Sequence, residues 1–501
     1  MEIGTDVTGS KDDSPLDDAT LRTVEPRLEE GWPRMPLDHP REECGVFGIY
    51  APGEDVARLT FFGLYALQHR GQESAGIATA DGYELLSHTR MGLVNTAFSE
   101  YDLHRLTGHI AIGHTRYSTT GSSRVSNAGP ITVRSEFGPL SVSHNGNLVN
   151  SDILRRDLQL RGVDLVTTTD TEVLTWTIAL NYGPDIVSRL RKAMGRFIGA
   201  YSLTILTPDQ LIGVRDPNGI RPLSLGRLNG GWVLASETCA LATIGATFER
   251  EVEPGEIVVI DAEGLHSYPL EALERKQATC IFELIYFARP DSQIMGKRLH
   301  LARQRMGAQL WREHPADADI VIPLPDSAVP AAIGYARESG LPYVEGLIKN
   351  RYIGRTFIQP DQRLREQGVK LKFNALPEVL AGKRVVLIDD TIVRGTTSRP
   401  IVDLLRQNGA VEVHMRVHAP PVMWPCYLGV DMARKEELIG AQMPVEEIGR
   451  VIGADSIGYL SLEGLIKAID LPENRFCTGC LTGKYPVPIQ IEMDKLVLER
   501  R

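Results

Sequence analysis

Apolar residues recur along this chain in short bursts, and their spacing divides it into two unlike halves. In the first half the bursts at 44–52 (CGVFGIYAP), 109–119, 140–148, 199–207, 232–236 and 256–261 are brief and glycine-interrupted, which predicts strands. The stretch RGQESAGIA (70–78) leads into another strand. Residues 56–69 predict a helix with Phe61, Leu64, Tyr65 and Gln68 on one side, and 171–180 and 186–194 carry the same helical period. Many strands with few helices imply a layered α+β domain. The second half reads differently. Residues 318–340 predict strand, loop and helix; 385–388 (VVLI) and 411–422 predict buried strands, with a short one near 343 and a helix over about 297–313. Residues 281–289 (IFELIYFAR) form an apolar segment running into the linker PDS. That alternation implies an open parallel sheet flanked by helices, with any ligand at the carboxyl ends of its strands.

Composition adds limits. A chain of 501 residues exceeds what one core usually serves, so two large domains are expected. The formal charge of −10 argues against nucleic acid as the main partner, and no apolar run of membrane-spanning length occurs, so no membrane span is expected. Residues 1–43 carry twelve acidic and five basic side chains and little to bury, which reads as a disordered leader. That leader has no apolar signal-peptide core, which points to the cytoplasm.

The stretch VVLIDDTIVRGTTSR (385–399) carries the strongest chemistry. Asp389 and Asp390 fall where the strand should emerge, followed by Gly395, Thr396, Thr397 and Ser398, with Pro400 placed to begin a helix. Small residues before a helix N-terminus cradle a phosphate, while the carboxylates suit a sugar diol or Mg2+. No Gly-Lys-Ser/Thr closes the loop, and the dinucleotide glycine spacing is absent. The segment resembles the 5-phosphoribosyl 1-pyrophosphate (PRPP) loop of type I phosphoribosyltransferases. The resemblance implies that Asp389 and Asp390 hold the ribose hydroxyls directly or through Mg2+, and that Arg394, Gly395, Thr396 and Thr397 hold the 5′-phosphate. DIVIPLP followed by DSAVP resembles the family's pyrophosphate loop, with Ser327 as a metal-side ligand; its Ala-Val-Pro at 328–330 is less typical. Residues 346–374 concentrate Lys349, Arg351, Arg355, Arg363, Arg365, Lys370 and Lys372 in an acidic protein. A charge run is ordinarily a solvated face; this one resembles the family's closing loop, in which Lys349, Arg351 and Tyr352 face PRPP and Tyr352 helps wall an ammonia channel.

In the first half, Cys44 follows the leader directly. By residue type alone it is a buried cysteine at a strand start. Released at the bond after Glu43, its new α-amine, with a reference pKa of roughly 7.7–8.0, could take the proton of its own thiol. Residues 44 to about 275 resemble the class II glutamine amidotransferase domain of the N-terminal nucleophile hydrolases. The resemblance implies that Asn145 and Gly146 in SHNGN form an oxyanion hole, Arg116 in GHTRYST grips the α-carboxylate of glutamine, and Asp170 in TTTDTE meets its α-ammonium. The ordinary alternatives are a tight turn at Asn145–Gly146, an interstrand ion pair for Arg116 and a helix N-cap for Asp170. His69, His114 and His144 read as strand and turn packing, Cys239 as a small buried hydrophobe, and 215–226 and 236–246 as walls of the substrate site.

Cys477 and Cys480 form a C-x2-C pair, and with Cys280 and Cys426 they could hold zinc or an iron–sulfur cluster. Spacing alone leaves that open. The whole chain resembles the glutamine phosphoribosylpyrophosphate amidotransferases, and the sequences around these cysteines resemble that family's iron–sulfur branch, which implies one [4Fe–4S] cluster per subunit. The same resemblance implies L-glutamine and PRPP as substrates, 5-phosphoribosylamine as product, Mg2+ as cofactor, purine nucleotides as feedback inhibitors, and a homotetramer or homodimer. The expected organisation is a leader at 1–43 and an α+β N-terminal nucleophile hydrolase domain of four αββα layers at 44–275. An α/β type I phosphoribosyltransferase domain with an open parallel sheet follows at 276–470, then a tail at 471–501 carrying cluster ligands. Another phosphoribosyltransferase, or a PRPP-sensing regulator with a relic glutaminase domain, are the competing readings.

Overall fold

The computed structural model describes residues 44–117, 121–269, 276–350, 372–430, 432, 434–489 and 497–499. The leader at 1–43 and the loop residues Arg351, Tyr352, Arg355, Arg363, Arg365 and Lys370 lie outside the described residues.

Strand Gly45–Tyr50 sets the layering of the first half. Its alternate side chains go to opposite faces: Val46 and Tyr50 enter an apolar layer between two sheets, while Phe47 and Ile49 face helices. The strand is central in a seven-stranded antiparallel sheet, between Ile110–Arg116 and Gly231–Ala235. A six-stranded antiparallel sheet lies opposite, with Gly138–Leu148 and Gly199–Leu206 paired within it. Helices Val56–Ala66 and Thr238–Thr243 cover the first sheet. Helices Ser151–Leu160, Asp170–Ala179 and Ile186–Met194 cover the second. The result is helix, sheet, sheet, helix: the expected four layers.

The first helix differs from expectation in its end and its face. It stops at Ala66, and its buried side is Val56, Ala57, Thr60, Gly63 and Leu64. Phe61 and Tyr65 instead stack on each other toward the outside, Tyr65 being 53% exposed. The cause lies in the sheet: the Phe47 ring occupies the space a Cβ on Gly63 would need, 2.4 Å away, so small residues are what allow the helix to approach.

In the second half a four-stranded parallel sheet runs in the order Ile320–Pro323, Arg384–Asp389, Glu412–Val417, Ser456–Tyr459. A parallel bridge between Val321 and Tyr343 extends it at one edge, as expected near 343. Helices Leu299–Glu313, Val329–Ser339 and Ser398–Gln407 flank it. The two halves are continuous: Val149, Ala200 and Ile220 of the first join the core of the second. At the junction, strand Thr279–Cys280 pairs in parallel with Phe476–Cys477, and the segment at 281–289 becomes a π-helical turn, Glu283–Phe287. Among the described residues no helix is long and apolar enough to cross a membrane.

Candidate active site

Cys44 stands just before the central strand, beside the end of Ile110–Arg116, with Gly45 opposite Thr115. Its Sγ donates to the Tyr117 carbonyl at 3.4 Å, and the Tyr117 amide donates back to Sγ at 3.5 Å. Burial pushes the thiol up to about 11, against the pull of the Tyr117 backbone and the Arg116 charge. A thiolate near neutral pH therefore needs a base at the sulfur itself. The Cys44 carbonyl accepts from Arg70 Nε at 3.2 Å. Arg70 is in turn held by Glu237 and Glu283, both buried, and His69 lies 2.7 Å from Glu237.

Asn145 and Gly146 lie on strand Gly138–Leu148, in the sheet facing that of Cys44. The tight turn offered as the ordinary alternative is not there: both residues are in regular register, opposite Ser202 and Tyr201. The Asn145 side chain is fully buried, and neither its Oδ1 nor its Nδ2 has a hydrogen-bond partner among the described residues. A buried amide left so costs about 1–3 kcal/mol, a standing deficit that a bound oxyanion would relieve. Gly146 has φ +147°, and a Cβ there would lie 2.0 Å from the Ala200 carbonyl oxygen, so only glycine fits.

Arg116 is buried, 3.5 Å from Glu73, and donates to the Ser122 carbonyl at 3.4 Å. It is thus an interstrand ion-pair member as well as a charge beside Cys44. Asp170 is not the N-cap of its helix; Thr169 is, accepting from the Glu172 amide. Asp170 Oδ2 instead accepts from the Leu148 amide at 3.0 Å and lies 3.7 Å from His144. Burial would raise its pKa, but His144, the Leu148 amide and Arg116 outweigh it and hold the carboxylate below its usual range. His114 is buried and neutral, pushed to about 3 chiefly by burial. One feature gave no sequence signal: Glu499 accepts from the Ser122 amide at 2.6 Å and from Thr168 Oγ1 at 3.3 Å, next to the Arg116 contact.

The second site stands at the carboxyl end of strand Arg384–Asp389. Asp389 and Asp390 are both buried there. Ser327 Oγ donates to the Asp390 carboxylate, so the two loops read separately in sequence do meet. Lys349 reaches Asp326 of the same loop at 2.8 Å. Gly395 has φ +74°, Thr396 is exposed, and Thr397 stands directly before helix Ser398–Gln407 without a capping bond from its side chain. Arg394 forks onto Glu437, at 2.8 and 2.9 Å. Two contributors escaped the sequence reading. His418 donates its amide and Nδ1 to the Asp389 carbonyl at 3.0 and 2.9 Å, and burial pushes its ring down to about 4. Arg303, buried in the charge field of Asp390, holds the carbonyls of Leu284 and Ala288.

Cys280 is the register partner of Cys477, and among the described residues none of the four C-terminal-half cysteines is in a disulfide. Burial, and then the neighbouring sulfurs, lift the Cys477 and Cys480 thiols, and burial lifts Cys280 to about 11. Among the described residues, no three His, Cys, Asp or Glu side chains form a single-ion site. A mononuclear zinc with Zn–S bonds near 2.3 Å needs sulfurs roughly 3.8 Å apart. The four cysteines come from three segments and feel one another's charge, Cys280, Cys426 and Cys477 all acting on Cys480.

Comparison with known proteins divides the chain the same way. The glutamine amidotransferase domain model matches residues 114–243, and the phosphoribosyl transferase domain model matches 298–419. The amidophosphoribosyltransferase of Synechococcus elongatus is 52% identical over 471 residues, covering 92% of this chain and 95% of that protein. That of Methanothermobacter thermautotrophicus is 48% identical over 459 residues, 91% of this chain and 97% of its own. Among solved structures, the glutamine PRPP amidotransferase of B. subtilis complexed with ADP and GMP superposes with TM-score 0.85 at 46% identity, covering 90% of this chain and 99% of that one. A structure described as the allosteric regulatory enzyme of purine biosynthesis gives TM-score 0.86 at 45% identity, over 91% and 99%.

Proposed function

The chain belongs to the amidophosphoribosyltransferase family, and on that premise we propose how its two sites divide the reaction. Ammonia from L-glutamine is transferred to carbon 1 of PRPP, giving 5-phosphoribosylamine, glutamate and pyrophosphate, the first step of purine biosynthesis. The observation that carries the assignment is the presence of both sites on one chain. One holds the buried Asn145 amide, which has no hydrogen-bond partner among the described residues; the other holds the carboxylate pair Asp389–Asp390 at a parallel strand end.

In the first half the Cys44 thiolate attacks the side-chain amide of glutamine, and Asn145 Nδ2 and the Gly146 amide take the developing oxyanion. Arg116 holds the α-carboxylate and Asp170, kept ionised, the α-ammonium. Because burial lifts the thiol, the base is the α-amine of Cys44 itself, freed by removal of residues 1–43. Intact mass of active protein beginning at Cys44 is the expected result, and full activity with the leader retained overturns this step.

In the second half Asp389 and Asp390 orient the ribose, while Gly395, Thr396, Thr397 and the helix N-terminus they precede take the 5′-phosphate. Lys349, Arg351 and Tyr352 face PRPP from the basic loop, and Arg394 joins them by leaving Glu437. Asp389, Asp390 and Ser327 would hold Mg2+, which would supply charge neutralisation to pyrophosphate. Cys280, Cys426, Cys477 and Cys480 would hold one [4Fe–4S] cluster, which would tie the C-terminal segment to the domain junction. Purine nucleotides act as feedback inhibitors, a reading supported by the ADP and GMP complex of the B. subtilis relative. The enzyme works in the cytoplasm as a homotetramer or homodimer.

The assignment is tested by phosphoribosylamine formation. Wild type should make it from glutamine plus PRPP, and Cys44→Ala only from added ammonia. Undiminished glutamine use by Cys44→Ala would refute it.

A further inference from the structure

Gly146 is confined on two sides. On one, a Cβ would strike the Ala200 carbonyl oxygen at 2.0 Å. On the other stands Gly429, from the opposite half of the chain. Its own Cβ would come within 3.0 Å of Gly146 C, 3.1 Å of Gly146 Cα and 3.0 Å of Arg221 Nη2. Gly429 has φ +110°, so the close approach of the two backbones depends on glycine at 429.

The segment carrying Gly429 is held firmly from the glutaminase side. Arg221, fully buried, donates Nε and Nη2 to the Leu428 carbonyl at 3.1 and 2.6 Å. Asn147, one residue beyond Gly146, donates Nδ2 to the Tyr427 carbonyl at 2.9 Å. The Arg221 carbonyl is itself fixed by Ser202 Oγ and Arg215 Nε at 3.0 and 2.8 Å. From the other side, Leu428 and Val430 are buried in the core of the second half, and the Leu428 amide lies 3.4 Å from Cys426 Sγ.

We propose that Arg221 and Asn147 are positioning residues which clamp Tyr427, Leu428 and Gly429 against the back of Gly146. In this way the second half of the chain sets the direction of the oxyanion-binding amide. The inference rests on the glutaminase reading of Cys44, Asn145 and Gly146. An oxyanion donor works only if it is already aimed where charge will develop, so a small rotation of this peptide costs rate and not substrate affinity. Each acts through the segment it holds, Arg221 through the Leu428 carbonyl and Asn147 through that of Tyr427, so Arg221 serves the 215–226 wall of the site from behind. The second half thus takes part in the first half's chemistry without supplying a reacting group.

The test uses the full-length enzyme and two variants, Arg221→Lys, which keeps the charge but loses the fork, and Asn147→Ala. For each, glutamine hydrolysis is resolved into kcat and KM, and PRPP-dependent synthesis is measured with ammonia as nitrogen source. Labelling of Cys44 is followed with iodoacetamide, whose displacement forms no oxyanion, and with a glutamine-derived diazoketone, whose carbonyl needs one. The expected result for both variants is a kcat for glutamine lower by about tenfold or more. KM for glutamine, ammonia-dependent synthesis and iodoacetamide labelling stay unchanged, while diazoketone labelling slows in proportion to kcat. A parallel fall in ammonia-dependent and glutamine-dependent rates, or wild-type kcat in a folded Asn147→Ala enzyme, overturns the proposal. Should wild type itself fail to hydrolyse glutamine, the underlying reading falls instead, and the two failures are told apart by that control.

Discussion

Arg70 donates Nε to the carbonyl oxygen of Cys44 at 3.2 Å, while its other nitrogens grip Glu237 at 2.6 Å and Glu283 at 2.6 Å. One buried guanidinium thus joins the Cys44 peptide to a carboxylate on the π-helical turn at the domain junction. Burial would raise the Glu237 pKa, yet His69 and Arg70 hold it well below the carboxylate range. Arg70→Met removes the cation that bridges the two carboxylates, leaving His69 beside Glu237 and Arg221 3.8 Å from Glu283. We expect a loss of about 3–5 kcal/mol, read as a lower urea midpoint. A midpoint equal to wild type would show that the cation is not needed there.

Asn145→Ala separates catalysis from stability. Loss of one oxyanion donor should lower kcat for glutamine about 100- to 1000-fold. The same change removes a buried amide that has no partner among the described residues, so the unfolding midpoint should hold or rise. Steady-state kinetics and thermal unfolding on one preparation check both outcomes.

Asp390→Asn acts on the other half. It removes a charge from the strand end where Ser327 and Thr391 donate to the carboxylate. Synthesis of phosphoribosylamine from PRPP and ammonia should fall below detection, while basal hydrolysis of glutamine continues. Equal loss of both activities would mean that the carboxylate serves the fold and not the sugar.

The acid side of the stability profile should carry the signature of His114. Its folded pKa, about 3, lies below its ordinary value of 6.5, chiefly through burial. A depressed group stabilises fully above its unfolded pKa and loses that contribution as pH falls through the folded one. Stability should therefore decline from about pH 6.5 downward, at up to about 1.4 kcal/mol per unit from this residue. His114→Gln, which does not titrate, should flatten the slope in urea midpoints taken across that range.

Protein purified without oxygen should be brown and hold about four irons per chain. Cys477→Ser should lose colour and iron together. Stoichiometric zinc in place of iron would contradict the cluster.

Much of this molecule was readable as sequence because its chemistry is carried by local runs. Asp389 and Asp390 announced themselves by following four apolar residues and preceding Gly-Thr-Thr, and Cys44 by opening a glycine-rich strand. Strands without apolar alternation were missed: Leu85–Met91 is a half-exposed edge, and Ser456–Tyr459 completes the parallel sheet with only four residues. The first helix was given the side of Phe61, Leu64, Tyr65 and Gln68, of which Leu64 is buried; the rest of its buried face is set by small residues such as Gly63, which the contact with Phe47 requires. Arg221, His418 and Arg303 stayed invisible for a deeper reason. A charged or polar residue gains meaning only when folding buries it against a carbonyl distant in the chain, and no window of sequence displays that.

Glu499 returns to the first half to receive the amide of Ser122, whose carbonyl is a contact of Arg116. Cutting the chain ahead of Glu499 would therefore strip a brace from the loop that Arg116 touches, so a charge beside Cys44 is steadied by a residue more than three hundred positions downstream.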